Sequence, residues 1–371
     1  MSKWIKSEIS PNVLQFKKDE QVIKIPKIIG EKYEVEDILS VGGYGVILEA
    51  KNKRLKDREV LIKTSLYNDM TEQLKHKYDV SRAETINERR NNLRLEFHRL
   101  IEFRNGGECR MPSVIDVVED FSPQIYGPHT DYITGETFYI EEFKNNEVYV
   151  IMQKIGGTNL GKYIHQGIDK ILEKKNYKTI LMWEKDVLEY MKEVVNIFEN
   201  FHRRNYTNKD NRESNYYYYI YQDLKPHNIM ITYDKFITLI DFGGLLMVGN
   251  ENGKIYSNYE DEGIAGCGTY GYMPREMKEH PESLDYKADI YTIGATMYSL
   301  LTGKNPLDGV EGSTEKIPTY NLKKMGYTDE IIQLVEKATS IDKNNRHTSV
   351  RYLLKDIVRC LGNVSSKINK M

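Results

Sequence analysis

Asp223-Leu224-Lys225-Pro226-His227-Asn228 is the stretch on which the reading of this chain turns. It offers a carboxylate that can accept a hydroxyl proton and, two residues on, an ammonium that can neutralise a transferring phosphoryl group. Five residues on comes an amide whose oxygen can ligate a divalent cation. An exposed polar loop could carry the same letters, so the stretch needs support from elsewhere in the chain. Support comes downstream, where the apolar run Ile237-Thr238-Leu239-Ile240 leads into Asp241-Phe242-Gly243. A strand there delivers a carboxylate to its exposed end, the glycine permits a sharp turn, and carboxylate oxygen suits Mg²⁺.

The composition narrows the classes around this stretch. The chain has 371 residues, 53 Lys+Arg against 55 Asp+Glu, a net charge of −2 and 40% apolar residues, which describes a globular protein of two domains or one two-lobed unit. Near-neutral charge argues against a nucleic-acid-coating protein. The longest apolar-looking stretch, Ile290 to Leu301, is too short to span a bilayer, so no membrane is expected as a partner. The opening MSKWIKSEIS lacks the apolar core of a secretion signal. Cys109, Cys267 and Cys360 lie far apart, which indicates neither a disulfide framework nor a zinc site and makes the cytoplasm the expected compartment. The one biased patch, Asn205 to Tyr219, ends in Tyr216-Tyr217-Tyr218-Tyr219 and reads as a surface insertion.

Alternation from Asn12 to Ile29, around the polar turn Lys17-Lys18-Asp19-Glu20, predicts a β-hairpin. Tyr33 to Ala50 reads as two strands joined by the turn Val41-Gly42-Gly43-Tyr44-Gly45, and Glu59 to Thr64 as a third. Residues 69–104 carry apolar positions at helical spacing, and Val114 to Phe121 and Val148 to Ile155 read as strands. Beyond Gly156-Gly157, helices are expected at 160–172, 183–204, 285–302, 328–338 and 349–361. A strand-rich first third before a helix-rich remainder predicts two lobes meeting near Gly156.

With these segments in order, the chain resembles the eukaryotic-type (Hanks-type) Ser/Thr protein kinases, in the manner of a soluble bacterial or viral member, from about Tyr33 to Arg346. The resemblance implies an α+β bilobal fold: a small β-rich lobe with one main helix and a larger helical lobe. Residues 1–30 would be an N-terminal extension, 31–155 the first lobe with the hinge, and 156–371 the second. It also implies ATP and Mg²⁺ as cofactors, with Mn²⁺ as the alternative ion, and protein substrates as partners. Oligomeric state stays open.

The site residues follow from the same resemblance. Leu39 to Ile47 resembles the glycine-rich loop, so Ser40, Val41, Gly42, Gly43, Gly45 and Ile47 would face the nucleotide. Val60-Leu61-Ile62-Lys63 resembles the strand whose lysine holds the α- and β-phosphates, with Leu61 against adenine. Glu96 is the expected partner of Lys63, and Glu88 the alternative. Met152 would be the gatekeeper, the Gln153 carbonyl and the Ile155 N–H would bond adenine, and Met230 would complete the nucleotide contacts. Asp223 and Lys225 would be catalytic, and Asn228 and Asp241 the metal ligands. Gly268 to Glu276 resembles the peptide-docking end of the activation segment, with Glu276 paired to Arg346. In Ala288 to Gly294, Asp289 would hold the catalytic loop by backbone hydrogen bonds.

Departures from the family pattern carry information of their own. Tyr221-Gln222-Asp223 stands where His-Arg-Asp is usual; Tyr221 can serve as an apolar residue stacked near Phe242, but Gln222 removes the guanidinium that pairs with an activation-segment phosphate. Ala265 occupies the usual phosphosite, so activity without that phosphorylation is expected. Ser40 in place of glycine and Leu61 in place of alanine predict a tighter adenine slot. Two rival readings are a pseudokinase scaffold and a small-molecule kinase. The first is marked by loss of Lys63, Asp223 or Asp241, all present here, and the second by lack of the Gly-Thr-x-x-Tyr segment, also present.

Overall fold

Alternating apolar and polar residues through the first third of the chain become strands in the computed structural model. It describes residues 3–19, 21–42, 45–65, 82–123, 128–130, 137–139, 147–164, 168, 176–206, 215–251, 254–257, 268–308 and 316–371. The expectations for Gly43, Ala265, residues 69–81 and most of the helix at 160–172 lie outside the described residues. Contacts divide the chain into two compact units, Met1–Lys154 and Ile155–Met371.

In the first unit, β1 (Ile5–Ser10), β2 (Val13–Lys18) and β3 (Gln21–Pro26) form an antiparallel meander. There follow β4 (Ile28–Ile29), β5 (Tyr33–Gly42), β6 (Gly45–Asn52), β7 (Arg58–Thr64), β8 (Val114–Asp120), the short pair β9 (Pro128–Thr130) and β10 (Thr137–Tyr139), and β11 (Glu147–Gln153). Six of them make one sheet in the order β4-β5-β6-β7-β11-β8. Leu14, Phe16, Ile23 and Ile25 turn one face of the meander into a common core with Ile29, Val35, Ile38, Val46 and Leu48. Each fully buried side chain of this kind contributes about 1.5–3 kcal/mol. Strand β1 escaped the sequence reading because all six of its residues are exposed, so no buried face marks it.

Helix α1 (Arg82–Asn105) buries Ile86, Leu93, Leu100 and Phe103, which recur at helical spacing, and brings Glu96 to the same inner side.

The second unit is mainly helical: α2 (Tyr177–Phe201), α3 (Arg275–Glu279), α4 (Lys287–Thr302), α5 (Tyr320–Met325), α6 (Asp329–Ala338) and α7 (Val350–Asn369). Helix α2 begins before the expected position 183 because Asn176 caps it, its side chain accepting from the Lys178 N–H at 2.9 Å. Helix α4 packs against α2 and α6 and is buried along nearly its whole length, which explains its apolar character all round. It stops at Gly303, whose φ is +72°. Helix α7 runs past the expected end at 361, carrying Val364 into the core and Lys367 to Glu330 at 3.1 Å.

Two small sheets complete this unit. One is β12 (Gly157–Asn159) with, later in the chain, β15 (Ile229–Thr232) and β16 (Ile237–Leu239). The other joins β13 (Asn205–Tyr206), β14 (Asn215–Ile220), β17 (Leu246–Glu251) and β18 (Lys254–Ser257) in that order. The tyrosine patch is therefore more than a surface insertion: Tyr218 and Tyr219 are buried in an inner strand.

Candidate active site

Strand register assembles one half of the candidate residues on a single face. Ser40 lies opposite Ile47, Ile47 opposite Lys63, Lys63 opposite Val150 and Leu61 opposite Met152. Directly opposed residues project to the same side, and so do residues two apart along a strand. Ser40, Ile47, Leu61, Lys63 and Met152 thus share that side. Lys63 Nζ donates to both Glu96 carboxylate oxygens at 2.8 Å, and both residues are buried. It is Glu96, from the eighth position beyond Glu88, that the helix brings to this lysine.

Gly42 pairs with Gly45 where β5 turns into β6. Gly45 has φ +151°, and a Cβ there would lie 2.1 Å from the Thr64 carbonyl oxygen, so the approach of β6 to β7 demands glycine. Gly45→Ala should cost at least about 1–3 kcal/mol of stability, read as a lowered denaturation midpoint. An unchanged midpoint would contradict this packing. Val41 is half-buried against the common core, and Gln153 is fastened to β8's approach, its N–H donating to Ser113 O at 2.8 Å and its Oε1 accepting from Ser113 Oγ at 3.0 Å. Lys154 next to it is paired with Glu49 at 3.0 Å and Glu59 at 3.2 Å.

In the second unit, Ile155 is half-buried at its start and Met230 is half-buried in β15, paired with Asn159 and Thr238. The catalytic-loop candidates are held from below by Asp289, wholly buried in α4. Its carboxylate accepts from the Tyr221 N–H at 2.9 Å, from the Gln222 N–H at 3.0 Å, and makes a 2.8 Å contact with His202 Nε2. His202 was not singled out from sequence, because the long segment before Tyr221 hides its relation to the loop. Gln222 sits at φ +67°, and its Nε2 donates to Gly244 O at 2.6 Å. The Tyr221 ring lies next to Phe242 as expected, but meets it edge-on at 5.5 Å and stacks instead on Phe201 at 5.9 Å.

Above this base the polar groups converge. Thr269 Oγ1 donates to Asp223 Oδ1 at 2.6 Å, and Lys225 Nζ donates to Asp223 Oδ2 and to Thr269 Oγ1, each at 2.7 Å. Asn228 Nδ2 donates to the Asp223 carbonyl at 2.8 Å, which leaves its amide oxygen as an acceptor. The Ile240 N–H donates to Asn228 O at 2.9 Å and so ties the start of the Asp241 turn to Asn228. Asp241 is exposed with φ +66°, a conformation uncommon outside glycine. An amide oxygen and a carboxylate form an all-oxygen donor set, which fits Mg²⁺ with its remaining ligands supplied by phosphate and water.

Residues 268–276 are anchored separately. Arg346 has a wholly buried side chain and grips Glu276 through both carboxylate oxygens, while also donating to Ser340 O at 2.7 Å and Lys287 O at 3.0 Å. Tyr272 OH meets Ser299 Oγ at 2.9 Å, and burial raises its phenol above the ordinary value.

The family profile for the protein kinase domain matches residues 33–361. The chain belongs to the protein kinase family. Its strand-rich first unit and helical second unit are the α+β architecture of that family. A probable serine/threonine-protein kinase of Streptomyces coelicolor is 24% identical over 343 residues, covering 91% of this chain and 41% of that protein. The serine/threonine-protein kinase PknB of Mycobacterium tuberculosis is 23% identical over 342 residues, covering 90% of this chain and 44% of its own length. An Aurora kinase of Candida albicans is 30% identical over 143 residues, 34% of this chain and 27% of that protein. The chain thus spans less than half the length of these relatives. No described helix is long and apolar enough to cross a membrane.

Proposed function

We propose that this chain is an ATP- and Mg²⁺-dependent kinase that transfers the γ-phosphoryl group to Ser/Thr hydroxyls of protein substrates. The observation that carries the reading is the triangle of Asp223, Lys225 and Thr269. Asp223 orients the acceptor hydroxyl and takes its proton. Lys225 neutralises charge building on the transferred group, and Thr269 fixes the carboxylate that does the orienting. Asn228 and Asp241 would hold Mg²⁺, which supplies charge neutralisation at the phosphates when bound. Lys63, aligned by Glu96, positions the α- and β-phosphates, while Leu61 and Met152 line the adenine and the Gln153 carbonyl bonds it.

No activation-segment phosphate is needed in this reading. The neutral Gln222 amide reaches the Gly244 carbonyl directly, a bond that modification does not switch. Incubation with γ-labelled ATP, Mg²⁺ and a generic basic protein should place label on Ser and Thr, and chelation by EDTA should abolish it. Label on tyrosine alone, on small molecules alone, or undiminished by EDTA would overturn the proposal.

A further inference from the structure

Between His202 and Tyr221, two residues that meet the same Asp289 carboxylate, the chain runs out through β13 and back through β14. We propose that β14 is a permanent clamp on the activation segment, the stretch from Asp241 to Glu276, and that Tyr218 is its principal positioning residue. The inference rests on the kinase reading above and concerns how that site is kept in working order.

The clamp is visible first in the backbone. β14 pairs antiparallel with β17 through six consecutive positions, from Asn215 opposite Glu251 to Ile220 opposite Leu246, and β18 continues the sheet. β14 ends three residues before Asp223, and β17 begins five residues after Asp241. One ladder therefore sets the register of both carboxylate-bearing loops.

Side chains then join the far end of the segment to the same strand. Tyr218 and Ile220 share one face of β14, and with Leu246 and Val248 of β17 they bury against Met273, Met277, Leu284 and Ala288. Met273 and Met277 flank Glu276, so the beginning and the end of the activation segment pack on one strand. The Tyr218 ring contacts Tyr286 at 6.0 Å, Tyr286 contacts His202 at 5.8 Å, and His202 reaches Asp289 at 2.8 Å. A continuous line of packed groups thus runs from β14 to the carboxylate that holds the Tyr221 and Gln222 amides.

An Arg–phosphate clamp works through charge-assisted hydrogen bonds that exist only while the phosphate does. A β-ladder with an apolar underside is made once, on folding. Gln222 and the tyrosine-rich β14 are then two parts of one arrangement, in which a fixed clamp stands in place of a switchable one.

The test is steady-state kinetics with Mg-ATP and a generic basic protein for wild type, Tyr218→Ala, Tyr218→Phe and Val248→Ala, alongside amide hydrogen exchange in 246–251. Tyr218→Ala should lower kcat by about 10- to 100-fold while the KM for ATP moves less than about twofold, and amide exchange in β17 should quicken. Tyr218→Phe, which keeps the ring, should restore both readouts. Should Tyr218→Ala fail to fold, Val248→Ala removes less packing and should move both readouts the same way. Wild-type kcat in the folded alanine variant, or a loss as large in Tyr218→Phe, overturns the clamp. Loss of wild-type activity on phosphatase treatment also overturns it. Absence of any phosphoryl transfer by wild type would instead sink the kinase reading itself, so the two failures are distinguishable.

Discussion

Asp223→Ala should lower kcat by about 10²–10⁴-fold, the range that a positioned general base contributes. The residue accepts hydrogen bonds from Lys225 and Thr269 and has its own loop fixed through Asp289, so little else in the second unit needs to move when its carboxylate is removed. Lys225 and Thr269 still meet each other at 2.7 Å, and the fold should survive. Binding of Mg-ATP, followed as a thermal shift, should persist in Asp223→Ala and weaken in Asp241→Ala, because only the second removes a proposed metal ligand. A variant that keeps more than about a tenth of the wild-type rate would remove Asp223 from the reaction.

The largest effect on stability should come from Arg346→Ala. Its guanidinium is wholly buried, holds both Glu276 oxygens and serves three backbone carbonyls from Ser340, Ile341 and Lys287. Removing one member of a buried pair leaves the other charge uncompensated, at a cost of about 3–5 kcal/mol. That is a large share of the roughly 5–15 kcal/mol by which domains are ordinarily stable. Glu276→Gln should cost less, since Arg346 keeps its carbonyl partners and the amide can still accept. Urea unfolding of the two variants checks the order. Equal midpoints for Arg346→Ala and wild type would show the pair to be energetically idle.

Much of the site was legible because its chemistry is written locally. Asp223, Lys225 and Asn228 lie within six residues, and Asp241-Phe242-Gly243 follows an apolar strand whose period is visible in the letters. Glu96 was harder. Its helix carries several acidic residues, and helical spacing alone left Glu88 open; contact with Lys63 across 33 residues of chain resolved it. His202 carried no signal, because its partner Asp289 lies 87 residues on. Strand β1 was missed for the opposite reason, having no buried face to impose a pattern. The tyrosine patch reads as surface from composition, since tyrosine tolerates both water and burial; pairing with β17 and packing against Met273 and Met277 put it inside.

The amino-acid sequence by itself determined the family, the order of the elements and the choice of candidate reacting groups. These depend on short-range spacing and on periodicity, which a chain carries wherever it folds. Tertiary structure decided which distant groups meet: Lys63 with Glu96, Thr269 with Asp223, Arg346 with Glu276, and β14 with both ends of the activation segment. Such contacts follow from strand register and helix packing, in which many weak interactions are summed over the whole unit, and no local stretch of residues specifies that sum.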